Sequence, residues 1–260
     1  MKTGLLEEIL SPDGLTVLVQ PIIQVLGDER SLHGVECLSR GPKNTLFERP
    51  DILFDYVRRK KAELSVDRRV IELALHACTR IPDPVRVSIN VHASSLGRDA
   101  DFADYLQQQA GNAGLPMSRL TIEVVEHAPM WNKPQFLKTI GDLQRLGVMI
   151  ALDDVGSGQS NYHMILDAAP NWFKVDAFIV QGVHSDPRRR AILASVVKLA
   201  SELGSKVVAE GVETELDLAA LMGLGVALVQ GYLFSRPITI EQLLNSSWMP
   251  SMALAAKAGL

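Results

Sequence analysis

The stretch "LTVLVQPIIQVLGDERSLHGVECLSR", Leu15–Arg40, contains two apolar, strand-like runs, at residues 15–25 and 32–40. Only about six residues, LGDERS, separate the two runs. A connection between two parallel strands needs about a dozen residues or more. The two runs are therefore predicted to pair as an antiparallel hairpin, so a barrel built on them contains one reversed strand.

Strand-like runs and helical patterns alternate through the rest of the chain. Further strands are predicted at 85–91, 119–126, 148–155, 171–176, 205–210 and 226–231. Helices are predicted at 66–80, 101–111, 134–147, 186–204 and 214–223, and in 186–204 a single stripe holds Ile192, Val196, Leu199 and Leu203. Eight strands with intervening helices in about 250 residues are typical of an α/β (β/α)8 TIM-like barrel, here with an irregular, antiparallel first strand. The alternative, an open doubly wound sheet, is disfavoured because no glycine-rich turn follows an early strand.

The composition is that of a soluble globular protein. The 260 residues are 47% hydrophobic and 22% charged, with a net charge of −4, which argues against binding a nucleic-acid polymer. No apolar run approaches the roughly 18 residues of a membrane helix, and the N-terminus lacks the apolar core of a signal peptide. A cytoplasmic location is predicted. We divide the chain into an N-terminal extension (1–14), one barrel domain (15–246) and a C-terminal tail (247–260).

Polar residues, most of them acidic, occupy the last inward-facing position of the predicted strands. Side chains alternate along a strand, which identifies these positions as Glu36, Asn90, Glu123, Asp153 with Asp154, Lys174 with Asp176, Glu210 and Gln230. In a (β/α)8 barrel the active site forms at the carboxyl ends of the strands. These side chains are therefore expected to converge on one mouth of the barrel.

Converging carboxylates repel one another and cannot all stay ionised without cations. Ligation by oxygen alone suits Mg²⁺ or Mn²⁺ rather than zinc. We expect Asp153 to bridge two metal ions and Asp154 to hold the second, an arrangement that cleaves phosphoesters. Lys174 is then a candidate to orient the attacking water. Arg40 follows Glu36 by four residues on the same strand face, where it can bind a phosphate.

Other interpretations of these residues stay open at this point. Asp153–Gly158 could form an ordinary turn, with Asp154 capping the next helix. Lys174 could form a Schiff base, although the surrounding acids favour its charged form. The segment "GSGQS" resembles a phosphate-binding loop but lacks the required spacing. Cys37 alternates with Glu36, so we expect it to face outward as a packing residue.

A series of short motifs resembles the EAL domain of bacterial cyclic di-GMP phosphodiesterases, from about Leu15 to Leu244. The motifs are QPI (20–22), ECLSR (36–40, usually EALLR), INV (89–91), EVVE (123–126), DDVGSG (153–158, usually DDFGTG), FKVD (173–176), AEGVE (209–213) and QGYLFSRP (230–237). So many motifs in the family's order make the resemblance specific. It implies that residues 15–246 form an EAL domain that hydrolyses cyclic di-GMP to linear pGpG.

The resemblance also implies a role for each matching residue. The first metal would be held by Glu36, Asn90, Glu123 and Asp153, and the second by Asp153, Asp154 and Glu210. Lys174 would contact the attacking water, with Glu36 and Glu210 as further catalytic residues. The substrate would be bound by Gln20, Leu38, Arg40, Asp176, Gln230 and Pro237. Glu126 and Glu213 would support the loop that follows the paired aspartates.

The same resemblance implies cofactors and partners. Two divalent cations, Mg²⁺ or Mn²⁺, are expected. The ligand chemistry itself predicts that Ca²⁺, which binds oxygen at longer distances, is inhibitory. A homodimer is expected, in which the loop from Gly156 to Tyr162 is ordered by Glu126 and a neighbouring subunit. A sensor or GGDEF partner domain would come from another polypeptide or from a longer parent chain. Val155 replaces the family's phenylalanine in this loop, and the divergent segment Gly41–Lys61 carries over no contacts to a guanine base.

Two rival functions are considered. The first is a catalytically weak EAL module that binds cyclic di-GMP or a protein without cleaving, but such modules usually lose metal ligands and none is lost here. The second is an enolase-type lyase, which also uses a lysine and acids at strand ends. It would need a large N-terminal capping domain, whereas about 15 residues precede the first strand.

Overall fold

The computed structural model describes residues 4–125, 132–156 and 162–249. Eight strands in this part of the chain close into a barrel in sequence order. They are β1 (Thr16–Leu26), β2 (Glu29–Arg40), β3 (Arg86–His92), β4 (Leu120–Val125), β5 (Met149–Val155), β6 (Trp172–Val175), β7 (Lys206–Ala209) and β8 (Leu228–Val229). The prediction of a (β/α)8 TIM-like barrel is confirmed.

Helices surround the barrel and cover its ends. They are α1 (Leu5–Ile9), α2 (Pro50–Lys60), α3 (Glu63–Cys78), α4 (Ala93–Leu96), α5 (Phe102–Asn112), α6 (Lys133–Arg145), α7 (Tyr162–Ala168), α8 (Ala177–Val180), α9 (Pro187–Glu202), α10 (Glu215–Gly223) and α11 (Ile240–Leu244). None of the helices in the described residues is long and apolar enough to span a bilayer.

The first strand runs against its neighbours, as the short connection predicts. β1 pairs antiparallel with both β2 and β8, whereas the strands from β2 to β8 pair in parallel. The ladder continues to the pair Leu26–Glu29, so only Gly27 and Asp28 form the turn. Gly27 has a φ of +62°, a conformation that glycine adopts without a steric penalty. The reversal leaves the carboxyl end of β2 at the same mouth as those of the later strands.

Apolar side chains fill both the barrel and the layer around it. Inside, Ile22, Ala151, Trp172, Val208 and Leu228 form a cluster below the acidic mouth. Outside, the alternate strand residues pack against the helices in a larger core. Each fully buried aliphatic or aromatic side chain contributes about 1.5–3 kcal/mol. The core thus supplies the free energy that holds the repelling acids together.

The stripe expected on the helix at 186–204 is only partly buried. Ile192 and Leu203 are 46% and 51% exposed, whereas Leu193 and Ala200 are buried. Leu193 and Ala200 lie seven residues apart, about two turns, and so form a second stripe on the same helix. Because α9 carries apolar residues on both stripes, periodicity alone cannot select the one that contacts the barrel.

Candidate active site

The polar residues at the strand ends meet around one buried lysine. Lys174, on β6, is 1% exposed. Its Nζ lies 2.6 Å from Glu123 Oε2 and 2.7 Å from Glu210 Oε1. The same atom lies 3.2 Å from Asp153 Oδ1 and 3.4 Å from Glu36 Oε2. Burial lowers the pKa of Lys174, but the four carboxylates outweigh it and raise that pKa well above its usual value. The lysine is therefore a cation, which argues against a Schiff-base role.

Side-chain amides fix Glu36 in place. Asn90 Nδ2 donates to Glu36 Oε1 at 2.7 Å, and Gln230 Nε2 donates to Glu36 Oε2 at 2.7 Å. Gln230 Nε2 also donates to Gln20 Oε1 at 3.0 Å. Burial raises the pKa of Glu36, but Lys174 and the two amide donors outweigh it and lower that pKa. Glu36 thus stays ionised and available as a ligand.

A bulge at the end of β5 brings two adjacent carboxylates to the mouth. The register against β6 shifts between Leu152 and Val155, so that Asp153 and Asp154 both lie opposite Lys174. Asp154 has a φ of +54°, in the left-handed region that few residues other than glycine adopt. This local departure from strand geometry is what lets neighbouring residues, which would otherwise face opposite ways, share one site.

One lysine does not balance all of these acids. Burial, together with Glu36, raises the pKa of Glu123 well above its usual value. Burial and, to a smaller extent, the nearby Asp153 raise the pKa of Glu210 to about 8. Burial and the adjacent Asp153 raise the pKa of Asp154 to about 6. Carboxyl groups that hold protons near neutral pH mark a site built for additional positive charge.

The donor set fits divalent cations. Among the described residues, the buried oxygens Asn90 Oδ1, Glu123 Oε1 and Asp153 Oδ1 form no hydrogen bond. Asp153 Oδ1 lies 3.2 Å from Lys174 Nζ, but this contact is an ion pair without hydrogen-bond geometry. Asp153, Asp154 and Glu210 each offer a carboxylate oxygen within 4.8 Å of the others. Buried polar atoms without partners are costly, and a hard cation satisfies them. The first group contains three of the four residues that the family resemblance implies for one metal, and the second group is the set that it implies for the other. These ligand roles stay predictions.

A cavity of about 360 Å³ opens beside these acids. Its lining includes the proposed ligands Glu36, Asn90 and Asp153, together with Leu38, Arg40, Pro50, Asp51, Phe54, Arg58 and His92. Arg40 is half-buried, and its Nη1 donates to the carbonyl oxygen of Ser39 at 2.8 Å. A larger cavity, of about 590 Å³, lies at the opposite end of the barrel around Gln24 and Lys206 and contains none of these acids.

The residues predicted to bind the substrate or to support the loop lie at different distances from the acidic cluster. Gln20 is buried at the mouth, and Gln230 lies between it and Glu36. Asp176 Oδ1 accepts a hydrogen bond from the backbone N–H of Phe178 and so caps α8. Pro237 is half-buried between β8 and α11, and Glu213 is exposed, 3.3 Å from Gln181 Nε2. Glu126 lies outside the described residues. The roles predicted for all of these residues stay predictions.

Sequence reasoning missed three residues on the cavity wall or directly behind it. Phe54 comes from α2, within the divergent segment, and His92 ends β3. Asp67, on α3, lies behind His92, with Oδ1 2.9 Å from its Nδ1. The available signal was the position of His92, two residues after Asn90 and on the same face of the strand.

Cys37 is not a nucleophile of this site. Its Sγ lies 3.6 Å from the Sγ of Cys78 on α3, and both residues are buried between the barrel and that helix. The contact with Cys78, followed by burial, raises the pKa of the Cys37 thiol well above its usual value. The predicted outward packing role is confirmed.

Comparison with known sequences identifies the family. The family model described as "EAL domain" matches residues 5–237. The cyclic di-GMP phosphodiesterase NbdA of Pseudomonas aeruginosa is 33% identical over 252 residues, which cover 92% of this chain and 31% of NbdA. The oxygen sensor protein DosP of Escherichia coli is 28% identical over 254 residues, which cover 95% of this chain and 31% of DosP. The chain therefore spans about a third of the length of these curated relatives.

Solved structures share the fold. The PaMucR phosphodiesterase in complex with c-di-GMP superposes with a TM-score of 0.80 at 26% identity, over 92% of this chain and 98% of that one. The calcium and c-di-GMP complex of BlrP1 from Klebsiella pneumoniae gives a TM-score of 0.77 at 29% identity, over 90% of this chain and 61% of that one. Since the family model covers most of its length and the strand-end residues assemble as the motifs imply, the chain belongs to the EAL domain family.

Proposed function

We propose that this chain is a metal-dependent phosphodiesterase that hydrolyses cyclic di-GMP to linear pGpG. The observation that carries the proposal is the buried Lys174 cation within 3.4 Å of four carboxylates, beside a cavity that Arg40 also lines. Curated relatives that the chain matches are named cyclic di-GMP phosphodiesterases. The chain covers only part of their length, so its own activity needs a direct test.

The proposed ligands would hold two Mg²⁺ or Mn²⁺ ions. The first set is Glu36, Asn90, Glu123 and Asp153, and the second is Asp153, Asp154 and Glu210. Such a pair, when bound, supplies Lewis-acid stabilisation of a phosphoryl oxygen and lowers the pKa of water. Asn90 contributes a neutral oxygen, so the two cations would face five carboxylates and not six. The bound ions would therefore keep more of their positive charge. This donor chemistry supports Mg²⁺ or Mn²⁺ over softer metals.

The chain's own groups position the substrate and the attacking water. Arg40 presents a guanidinium to the cavity and would bind the phosphate oxygens. Lys174 would donate a hydrogen bond that orients the water for in-line attack, and its charge would stabilise the charge that develops at phosphorus. The oxygen of the water joins phosphorus, the bond from phosphorus to the 3′ oxygen breaks, and that oxygen leaves as a hydroxyl group. The product is linear pGpG with a 5′-phosphate.

The test is incubation of the pure protein with cyclic di-GMP and Mg²⁺, with the products separated by chromatography. We expect pGpG to accumulate in proportion to time and enzyme, and an excess of chelator to stop it. A binding-only EAL module, the alternative, would retain cyclic di-GMP without forming product. A lyase of the enolase type would leave the dinucleotide unbound.

A homodimer is part of the proposal. Tyr162 and Leu166, on α7, are each 76% exposed, so one short helix presents two large hydrophobic side chains at the surface. An interface that covers α7 would bury these side chains. A sensor or GGDEF partner on another chain, and action in the cytoplasm, remain proposals that interaction and localisation experiments would test.

A further inference from the structure

A histidine lies on the cavity wall next to the proposed metal ligands. His92 ends β3, and its side chain is 10% exposed. Its Nδ1 lies 2.9 Å from Asp67 Oδ1. Asp67 Oδ2 accepts from the backbone N–H of His92 at 3.0 Å and from Ser95 Oγ at 2.6 Å. Because Asp67 receives several donors and is buried, it acts as an acceptor, and His92 must carry a proton on Nδ1.

Asp67 therefore fixes both the orientation and the tautomer of the ring. Within the described part of the chain no residue forms a hydrogen bond with Nε2, the ring nitrogen that remains. A second ring lies beside the first: the centroids of Phe54 and His92 are 5.5 Å apart, with the planes inclined at 56°. The two rings belong to the same wall of the 360 Å³ cavity.

The chemistry of this wall suits a nucleobase. Apolar groups from Leu38, Val91 and Val125 accompany the two rings, and Asp51 and Arg58 add a carboxylate and a guanidinium. A flat purine can stack on an aromatic ring and offer both donors and acceptors at its edge. A phosphate, in contrast, is matched by a basic group such as Arg40, which lines the same cavity together with the proposed ligands Glu36 and Asn90.

We propose that His92, held by Asp67, hydrogen-bonds through Nε2 to one guanine of the substrate, which stacks on Phe54. This inference rests on the proposed function, since it takes the substrate to be cyclic di-GMP. Guanine offers acceptors at O6 and N7 and donors at N1 and its amino group. Nε2 therefore finds a partner on guanine whether the ring is neutral or charged, and the proposal does not depend on its titration.

The test compares His92→Leu with His92→Gln. Leucine removes the hydrogen bond, whereas the glutamine amide reaches about as far as Nε2 and restores it. The dissociation constant of cyclic di-GMP is measured in Ca²⁺, and KM and kcat are measured in Mg²⁺. We expect His92→Leu to weaken binding and raise KM by about 10-fold, the effect of one lost hydrogen bond. The kcat should stay within about twofold, and His92→Gln should recover most of the affinity.

Base recognition is separated from phosphate binding with cyclic di-AMP. If His92 contacts guanine, His92→Leu should narrow the preference for cyclic di-GMP over cyclic di-AMP. An equal loss for both dinucleotides would indicate a phosphate contact and overturn the proposal. So would an unchanged dissociation constant, or a fall in kcat alone, which indicates an effect on the chemical step and not on binding of the base. His76→Leu, at an exposed histidine of α3, is the matched control and should change neither affinity nor selectivity.

Two further measurements keep the outcome decisive. Should His92→Leu fail to fold, as judged by its thermal unfolding, Phe54→Leu removes the stacking surface and should weaken binding by about 10-fold. Hydrolysis by the unmodified protein tests the proposed function separately. A protein that binds cyclic di-GMP without cleaving it would refute the phosphodiesterase while leaving the His92 contact open to the same binding comparison. A protein that does not bind cyclic di-GMP would refute both.

Discussion

Lys174 shows how one residue holds an otherwise unstable group of acids together. Its ammonium lies between Glu123 and Glu210 at 2.6 and 2.7 Å, with Asp153 at 3.2 Å. Removing one partner of a buried ion pair costs about 3–5 kcal/mol because the remaining charge is left uncompensated. Here the acids outnumber the lysine, so removing an acid and removing the lysine should have opposite effects on the metal-free protein.

Asp153→Asn tests this imbalance. Asp153 belongs to both proposed ligand sets, so we expect hydrolysis to fall about 100-fold or more, the cost of losing a group that stabilises the transition state. The fold should survive, and the metal-free protein should unfold at an equal or higher temperature, because one repelling charge has gone. Chromatography of the products and thermal unfolding in chelator measure the two effects. Full activity in Asp153→Asn would exclude the two-metal interpretation.

The raised pKa values predict how metal-free stability depends on pH. Glu210 titrates at about 8 and Asp154 at about 6 in the folded protein, above their ordinary values of 4.5 and 3.8. Between about pH 4 and pH 8 the folded state therefore binds more protons than the unfolded state. The stability that these groups contribute is complete below about pH 4 and is lost as the pH rises through 6 and 8.

Urea unfolding in chelator should therefore give a free energy of unfolding that falls from pH 5 to pH 8.5. In Glu210→Gln the fall in the free energy of unfolding above pH 7 should become smaller, because one of the carboxyl groups with a raised pKa is gone. Mg²⁺ should restore the stability most strongly at high pH, where the carboxylates are ionised and free to bind it. A free energy that rises over this range in chelator would contradict the assignment.

At the scale of an element, the end of β5 departs from strand geometry to deliver both aspartates. The departure ends at Gly156, which has a φ of +98°. A Cβ at this position would lie 2.9 Å from Ile179 Cγ1, closer than packing allows. Gly156 is thus required both by its backbone conformation and by the approach of α8.

Gly156→Ala should destabilise the protein by about 1–3 kcal/mol, since it forces a strained backbone against a neighbour. It should also lower activity by about 10-fold or more, because it displaces Asp154. Gly141→Ala is the matched control: Gly141 lies inside α6 with no atom near its Cβ position, and alanine there should stabilise by about 0.5–1 kcal/mol. Denaturant unfolding and the hydrolysis rate are the measurements. Equal effects of the two substitutions would show that the bulge is not needed.

The sequence predicts those features that depend on residues close together in the chain. The short connection after Leu26 requires a hairpin, and alternation along the strands places Glu36 and Glu123 at the mouth. The contact between His92 and Asp67 could not be predicted, because it joins residues 25 positions apart through the packing of α3 on β3. The burial of α9 was ambiguous for a similar reason, since only the completed barrel selects between its two apolar stripes.

At the scale of the whole molecule, the metal centre is a property of the closed barrel. Its proposed ligands come from β2, β3, β4 and β5 and from the position after β7, so barrel closure sets the distances between them. Mg²⁺ and Mn²⁺ accept oxygens at about 2.0–2.2 Å, whereas Ca²⁺ needs about 2.3–2.6 Å and more ligands. Because barrel closure sets the spacing of the ligands, the site should discriminate between the ions by geometry.

We therefore expect Ca²⁺ to support binding of cyclic di-GMP without cleavage and to compete with Mg²⁺. A misplacement of the reacting groups on the order of 1 Å can cost about 100-fold in rate. Titration of Ca²⁺ into a Mg²⁺-supported assay, with binding followed separately, measures both effects. Cleavage that is equally fast in Ca²⁺ alone, or that continues in excess chelator, would refute the proposed mechanism.

The exposed apolar side chains of α7 predict how two molecules associate. Leu166, 76% exposed, lies on the helix that packs beside α6 and follows the segment after the paired aspartates in sequence. In the proposed homodimer this side chain is buried, so Leu166→Glu would place a charge in the interface and should yield a monomer. Leu216→Glu, on α10, is the matched control: Leu216 is 64% exposed, and the same substitution there should leave the dimer intact.

Sedimentation velocity over a range of concentrations measures the assembly, and hydrolysis per protomer measures its consequence. If the dimer supports the active site, activity per protomer should fall on dilution and should be low in Leu166→Glu at every concentration. The control variant should follow the unmodified protein. An unmodified protein that stays monomeric throughout would refute the dimer. Constant activity per protomer across a demonstrated dissociation would show that each barrel works alone.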